Sequence, residues 1–476
     1  MVRTLDHWYD GGSRPPHGGM YLDRTSPRDG RLICRVAAGD EHDVTQAVES
    51  ARQVAPGWAI TSPETRGRQL HGLAQAIRES AAQLIEEECE ETGKARQTAA
   101  DEVEGAARYF EFYGQVIGAL GGETIDLGPQ FHSFTRREPY GVVGVITPWN
   151  LPINQAARAC APAIAAGNVV VLKPSSLTST TSIRLAELAS RVGIPRGVVN
   201  VLLGSGAAIG GALASHHAVR KIAFTGSVDV GRSLAHVGAD GLIPLTLELG
   251  GKNANLVFAD ADLDQAAAAT VRGFTQNAGQ VCSAASRLIV QEDIRDAMVE
   301  AIVGRVVKLS LEEDVGPVIN ETQYLSIRRH LEVAEREGAI AEVGGTAHTD
   351  AVPNPSRGLY VAPTVYSNVN PDMRIARDEV FGPVLVVLPF GSDEEAVAIA
   401  NDSSFGLVAG VWTSDITRAL RTAARLEAGQ VYVNSWWSGG VETPFGGYKQ
   451  SGYGREKGIE ALYHYTQSKC VTVALR

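Results

Sequence analysis

The sequence predicts an α/β fold built on two largely parallel sheets, and three observations carry that expectation. Between residues 140 and 249, apolar runs at 140–147, 169–173, 198–203, 221–224 and 244–249 alternate with helical patterns near 152–166, 181–192, 207–214 and 230–237. After Gly251 a second series begins, with strands at 255–258, 287–290, 384–389 and 430–433 among helical segments such as 262–276 and 295–309. Strands separated by helix-length segments are the mark of βαβ units, because parallel neighbours need a crossover. The third observation is size: at 476 residues the chain exceeds what one core organises, so two or three domains are expected.

The N-terminal third reads as amphipathic helices. After Asp40, Val44, Ala47, Val48, Ala51 and Val54 recur at helical spacing, and 70–84 with the acidic 86–91 region read as another helix or pair. Gly and Pro clusters at 11–19 and 121–129 mark irregular ground.

Composition narrows the function. Hydrophobic residues at 44%, charged residues at 20% and a net charge of −11 are those of a soluble globular protein and disfavour nucleic-acid or anionic-membrane partners. No apolar run is long enough to cross a bilayer, and the first ten residues lack a signal peptide's basic-then-apolar order. The five cysteines, Cys34, Cys89, Cys160, Cys282 and Cys470, are too scattered for a disulfide framework or a zinc pattern. No metal is therefore expected, and a reducing cytoplasm is the simplest compartment.

Two stretches carry the chemistry. In Thr246-Leu-Glu248-Leu-Gly250-Gly251-Lys252 a carboxylate sits between apolar residues before a Gly-Gly bend. In Asn277-Ala-Gly279-Gln280-Val-Cys282-Ser283 a thiol follows a tightly bending approach. A cysteine that forms a covalent intermediate and a carboxylate that later activates water suffice for acyl-enzyme chemistry. Free cysteines are usually small core hydrophobes, but the small, polar neighbours of Cys282 fit that reading poorly. Leu247 and Leu249 suggest an apolar setting that raises the pKa of Glu248 toward a base's useful range.

Both stretches closely resemble the active-site signatures of the NAD(P)-dependent aldehyde dehydrogenases, and the resemblance extends over essentially the whole chain. It implies an aldehyde-dehydrogenase-like fold of two Rossmann-like domains plus a small β oligomerisation extension. The expected division is 1–116 and 139–250 for the dinucleotide-binding domain, 251–450 for the catalytic domain, and 117–138 with 451–476 for the extension. By the same resemblance Cys282 attacks the aldehyde, Asn150 of Thr147-Pro148-Trp149-Asn150 holds the oxyanion with the Cys282 N–H, and Glu248 deprotonates the hydrolytic water. The presence of Glu248 favours a free carboxylic acid as product.

No strict G-x-G-x-x-G is evident. Phe224-Thr225-Gly226-Ser227 to Gly231 instead follows a strand and opens a helix, a place suited to phosphate, and resembles the family's variant of the dinucleotide fingerprint. The resemblance further implies cofactor contacts from Ile146, Thr147, Trp149, Lys173, Ser175, Ser176, Gly206 and Leu249, with Glu379 on the nicotinamide ribose and Phe381 behind the ring. Members that prefer NAD often carry a glutamate at the position of Ser176. The serine removes that repulsion, so NAD or NADP is expected, with NADP accepted.

For the substrate, the position that often carries a tunnel-facing tryptophan is Arg158, beside Leu151 and Gln155. A buried arginine finds an internal carboxylate or waits for one on a ligand. Succinate semialdehyde and aromatic-aldehyde members both carry arginine here, while Trp436 and Trp437 fall in the loop expected at the tunnel mouth. The lean is toward aromatic or bulky aldehydes, with subunit packing the alternative for the tryptophans; the rival readings are a succinate-semialdehyde-type enzyme and a non-catalytic relative serving as a binding or structural protein. Glu456 is a candidate for a proton path. A homodimer or tetramer is implied, joined through 131–138 and the alternating tail 469–475, since an exposed edge needs a partner.

Overall fold

The computed structural model describes residues 2–475. Its first sheet has eight strands around a parallel centre, in the spatial order Leu245–Glu248, Val219–Thr225, Val142–Ile146, Val169–Lys173 and Val199–Val201. Antiparallel strands His7–Tyr9 and Gly12–Arg14 finish one side, and Gly452–Tyr453 finishes the other. Val142–Ile146 and Val169–Lys173 are buried along their whole length, which is why they read as unbroken apolar runs. From Val142–Ile146 the next two strands step to one side, while Val219–Thr225 and Leu245–Glu248 step to the other. That reversal opens a crevice at the carboxyl ends of the strands, where Ile146, Lys173, Thr225 and Glu248 end theirs.

Helices cover this sheet. Glu41–Ala59 begins at a capping box in which the Asp40 side chain accepts from the His42 and Asp43 N–H groups and Asp43 reaches back. Its Val44, Ala47, Val48 and Ala51 are buried as the period requires. The expected helices between 70 and 91 are Pro63–Glu79 and Ala81–Thr92, and Arg96–Val116 follows.

The N-terminus departs from an all-helical reading. Arg3–Leu5, Tyr21–Thr25 and Leu32–Ala37 form a separate three-stranded sheet ahead of the first helix. Strands this short show no legible period, and they exist because partner edges are available: Trp8 pairs with Val201 on the main sheet.

The second sheet has seven strands, in the order Ile340–Val343, Thr364–Ser367, Val384–Phe390, Arg287–Gln291, Ala254–Val257, Val408–Trp412 and Gln430–Val433. All pairings are parallel except the Ile340–Val343 edge. A third sheet pairs Thr466–Ala474 antiparallel with Phe131–Pro139, flanked by Thr124–Ile125. The tail divides differently from the expected 451–476 unit. Gly452 pairs with Glu248, and Ala461, Leu462 and Tyr465 are buried in the first core, so only the last strand joins the small sheet.

Gly452 lies at φ +113, and a Cβ there would fall 1.9 Å from the Leu247 carbonyl oxygen. Gly452→Ala therefore breaks the sheet edge that carries Glu248. The expected cost is about 3 kcal/mol, read as a lowered thermal midpoint by differential scanning fluorimetry.

Candidate active site

A cavity of about 250 Å3 lies between the two large sheets, lined by Trp149, Asn150, Gln155, Thr225, Glu248, Cys282, Glu379 and Phe381 among others. The two sequence motifs thus meet in one cleft. A larger groove of about 740 Å3 is lined by Arg295, Val303, Asn370 and Pro389, and it contains no thiol.

Cys282 reaches the cleft through a strained turn. Helix Leu263–Thr275 ends and the chain passes through the left-handed region at Asn277 (φ 54), Ala278 (φ 52) and Gly279 (φ 69). For the two non-glycine residues that conformation is unfavourable and must be held by surrounding bonds. Gln280 supplies several: its Nε2 donates to the Asn277 carbonyl at 2.9 Å and its Oε1 accepts from the Ile319 N–H at 2.9 Å. At 279 only glycine fits, since a Cβ would lie 2.1 Å from the Gly382 carbonyl oxygen. The Cys282 carbonyl then accepts from Asn253 Nδ2 at 2.9 Å, which ties the turn to the residues just after Gly250-Gly251.

Burial pushes the Cys282 thiol up to about 12; the Arg158 cation opposes the shift, and Glu379 and Glu248 add to it. The resting sulfur is therefore a neutral thiol at pH 7.

Asn150 sits in the loop between Val142–Ile146 and helix Pro152–Ala165. Its Nδ2 donates to the Gln280 carbonyl at 2.9 Å, and its Oδ1 accepts from Gln155 Nε2 at 3.2 Å. One of the two amide hydrogens is thereby fixed, and the other is left to point at a ligand.

Glu248 ends its strand opposite Thr225, with its backbone carbonyl accepting from the Gly226 N–H at 3.0 Å. Neither carboxyl oxygen has a hydrogen-bond partner, and the side chain is buried. Burial, reinforced by Glu456, holds its pKa well above the usual carboxyl range against Arg158 and Arg455.

Of the two fates open to Arg158, the structure shows the internal one. Its guanidinium pairs closely with Glu456, donates to Thr225 Oγ1 at 3.3 Å and lies 5.2 Å from the Phe445 ring centre. Burial disfavours the cation, but the facing Glu456, together with Tyr109, Glu248 and Cys282, more than offsets this and the guanidinium pKa rises. Arg158 thus stands behind the cleft wall, differing from the expected ligand-facing role. Trp436 also departs from expectation: it is 2% exposed and packs against Tyr432 in the second unit's core. Its neighbour Trp437 is half-buried, and its Nε1 donates to Ser283 Oγ at 2.9 Å, one residue from the thiol. Leu151 stands at the start of helix Pro152–Ala165.

The residues expected to hold a dinucleotide gather at the same strand ends. Ile146 and Lys173 are register partners, as are Phe224 and Ile146. Lys173 Nζ has one bond, to the Pro174 carbonyl at 3.1 Å, and burial lowers its pKa to about 8. The Thr147 hydroxyl is buried without a partner. Ser175 Oγ accepts from the Leu177 N–H at 3.2 Å, and Ser176 is half-buried in the same turn. Ser227 caps helix Val228–Gly241, Gly226 lines the cleft, and Gly231 lies against Leu249. Gly206 opens the turn Gly206–Gly210 on the same unit. On the other side, Glu379 Oε1 accepts from the Gly251 N–H at 3.1 Å, and burial raises its pKa to about 7. Phe381 meets Trp149 edge-on at 5.3 Å.

Sequence reasoning missed Thr225 and Gln323 in the cleft wall. Thr225 was readable as the last residue of its strand. Gln323, whose Nε2 donates to the Phe381 carbonyl at 2.8 Å, carries no local signal because its partner is distant in sequence.

The chain matches the model of the aldehyde dehydrogenase family over residues 15–471. It is 40% identical over 467 residues to a hydroxyisobutyraldehyde dehydrogenase of Mycolicibacterium austroafricanum, covering 97% of this chain and 92% of that one. Among solved structures, the NAD-dependent aldehyde dehydrogenase of Sinorhizobium meliloti superposes with a TM-score of 0.96 at 40% identity, covering 99% and 95%. An indole-3-acetaldehyde dehydrogenase of P. syringae, in complex with NAD+ and IAA, gives 0.96 at 36%, covering 100% and 97%. Such agreement, in fold and over almost every residue, makes the chain a member of the aldehyde dehydrogenase family. It is an oxidoreductase that oxidises aldehydes.

Because burial holds the thiol protonated, alkylation at Cys282 should accelerate about tenfold per pH unit between pH 6 and 9, with no plateau near the ordinary thiol pKa of about 8.5. Peptide-resolved mass spectrometry after brief iodoacetamide treatment measures this separately from the exposed Cys470.

Proposed function

We propose that this enzyme converts an uncharged, bulky or aromatic aldehyde to the free carboxylic acid with NAD+, through a thioester on Cys282. The observation that carries the reading is the meeting of Cys282, Glu248 and Asn150 in one cleft. Cys282 Sγ passes its proton to solvent and bonds to the aldehyde carbon as the carbonyl π pair moves onto oxygen, and the resulting oxyanion is received by the free N–H of Asn150 and the backbone N–H of Cys282. When bound, the nicotinamide supplies the hydride acceptor that takes this adduct to the thioester. Glu248, once ionised, draws a proton from water as the water attacks the thioester carbon, and Cys282 leaves as the thiolate.

The cofactor fits the strand ends. The partnerless Thr147 hydroxyl and the nearly free Lys173 ammonium are donors that a ribose and its phosphates satisfy. The capped N-terminus of helix Val228–Gly241 suits the pyrophosphate. On the opposite wall Glu379 would hold the nicotinamide ribose, and Phe381 and Trp149 would back the ring. Ser176 places no charge against a 2′-phosphate, so NADP is accepted as well.

The lean against a carboxylated substrate rests on Arg158. Its charge is spent on Glu456, and a succinate-semialdehyde carboxylate would have to break a buried ion pair to reach it. Trp437, hydrogen-bonded to Ser283 next to the thiol, instead offers flat apolar surface. The relative that acts on indole-3-acetaldehyde by name is consistent with that choice. The three-stranded sheet, with Phe131 and Val473 exposed, is the surface through which two or four copies associate.

Glu248→Gln should still release about one equivalent of reduced cofactor per Cys282 in a stopped-flow burst and then stall, because the thioester forms but water is not activated. With wild-type enzyme, the raised Glu248 pKa makes kcat climb with pH above the ordinary carboxyl range, and the variant loses that limb. A kinetic screen tests the substrate and cofactor assignments: kcat/KM for benzaldehyde-type aldehydes should exceed that for succinate semialdehyde. A preference for NAD of more than about a hundredfold, about 2.7 kcal/mol, would remove the role assigned to Ser176.

A further inference from the structure

We propose that Lys94 is a positioning residue for the oxyanion step, acting through the backbone of Asn150. The inference rests on the assignment of Asn150 to the oxyanion. Lys94 lies just beyond helix Ala81–Thr92, and its side chain is completely buried. Its Nζ donates to the two carboxylate oxygens of Glu102 at 2.6 and 2.7 Å and to the Asn150 carbonyl at 2.9 Å, with Glu88 Oε2 3.5 Å away. Glu88 uses its other oxygen to accept the Ile153 N–H at 2.9 Å and the Thr181 hydroxyl at 2.7 Å.

One buried charge cluster thus grips both ends of the segment 150–153. Lys94 holds the carbonyl of Asn150, and Glu88 holds the N–H of Ile153 in the first turn of helix Pro152–Ala165. Asn277 Nδ2 donates to the same Asn150 carbonyl at 3.0 Å, so both lone pairs of that oxygen are taken. The peptide plane after Asn150 is fixed, and with it the axis along which the side-chain amide leaves the backbone. Side-chain bonds to Gln280 and Gln155 set only the amide's rotation about that axis.

Stability alone does not explain such a cluster, because well-packed apolar residues of similar volume stabilise a core at least as well as buried ions. What apolar residues lack is a directional donor aimed at one carbonyl oxygen. A displacement of about 1 Å at a reacting group costs up to ~10²-fold in rate, which gives this bond a catalytic consequence without contact to substrate.

Two reactions of Cys282 separate position from integrity. Alkylation by iodoacetamide forms a C–S bond and expels iodide with no oxyanion. Cleavage of p-nitrophenyl acetate forms a C–S bond at a carbonyl, passes through a tetrahedral oxyanion and expels p-nitrophenolate. Both are measured on the full-length enzyme carrying Lys94→Met, the double change Lys94→Met/Glu102→Met, which leaves no unpaired Glu102 charge, and Asn150→Ala. The expected result is a loss of ester cleavage of roughly 10- to 100-fold in the Lys94 variants, with Cys282 alkylation unchanged. Normal ester cleavage in the double variant beside an impaired Asn150→Ala overturns the role of Lys94 alone. Normal cleavage in Asn150→Ala overturns the oxyanion assignment and this inference with it. Alkylation falling in parallel with ester cleavage shows that Lys94 merely holds the fold, and also overturns the proposal.

Discussion

A charge removed from water must find a partner, and that constraint shapes everything beneath the catalytic cleft. Arg158 and Glu456 face each other behind one wall, and Lys94, Glu102 and Glu88 are packed together behind another. Each group neutralises a neighbour that would otherwise be too costly to bury. Glu248 stands out because no donor meets either of its oxygens, and burial with the neighbouring Glu456 holds its pKa well above the usual carboxyl range. The neutral Cys282 beside it follows the same logic. The cleft is therefore a place where burial disfavours two anions at once, with Glu456 adding to the effect at Glu248.

The sequence made the local part of this legible. Cys282 and Glu248 could be singled out because each lies in a short stretch whose neighbours constrain it, Asn150 only through the family resemblance of its stretch, and the parallel strands because burial on both faces leaves an unbroken apolar run. What escaped was decided by partners remote in sequence. Nothing near Arg158 announces that Glu456 faces it across nearly three hundred residues. Nothing near Trp436 distinguishes an indole at a tunnel mouth from one sealed between Tyr432 and the second core. Lys94 shows no local mark of the bond it makes to the Asn150 carbonyl.

The N-terminal strands illustrate a second kind of opacity. Arg3–Leu5 and His7–Tyr9 are too short for alternation to be read, and they are strands only because Leu32–Ala37 and Val199–Val201 offer edges. Val408–Trp412 and Thr364–Ser367 fall between these extremes: the first is apolar and buried throughout but only five residues long, and the second, Thr-Val-Tyr-Ser, is mostly buried without being an apolar run. Long helices with a cap, such as Glu41–Ala59 after Asp40, needed no tertiary context to be recognised.

The return of the tail to the first unit bears on how the chain is made. Gly452 borders the Glu248 strand, and Ala461, Leu462 and Tyr465 close the core that begins with the earliest residues. As the polypeptide leaves the ribosome, the first sheet waits, one border strand short, until every strand of the second sheet has been made. Synthesis order and assembly order therefore part ways here, and the nascent half-built sheet is the species that a chaperone would meet.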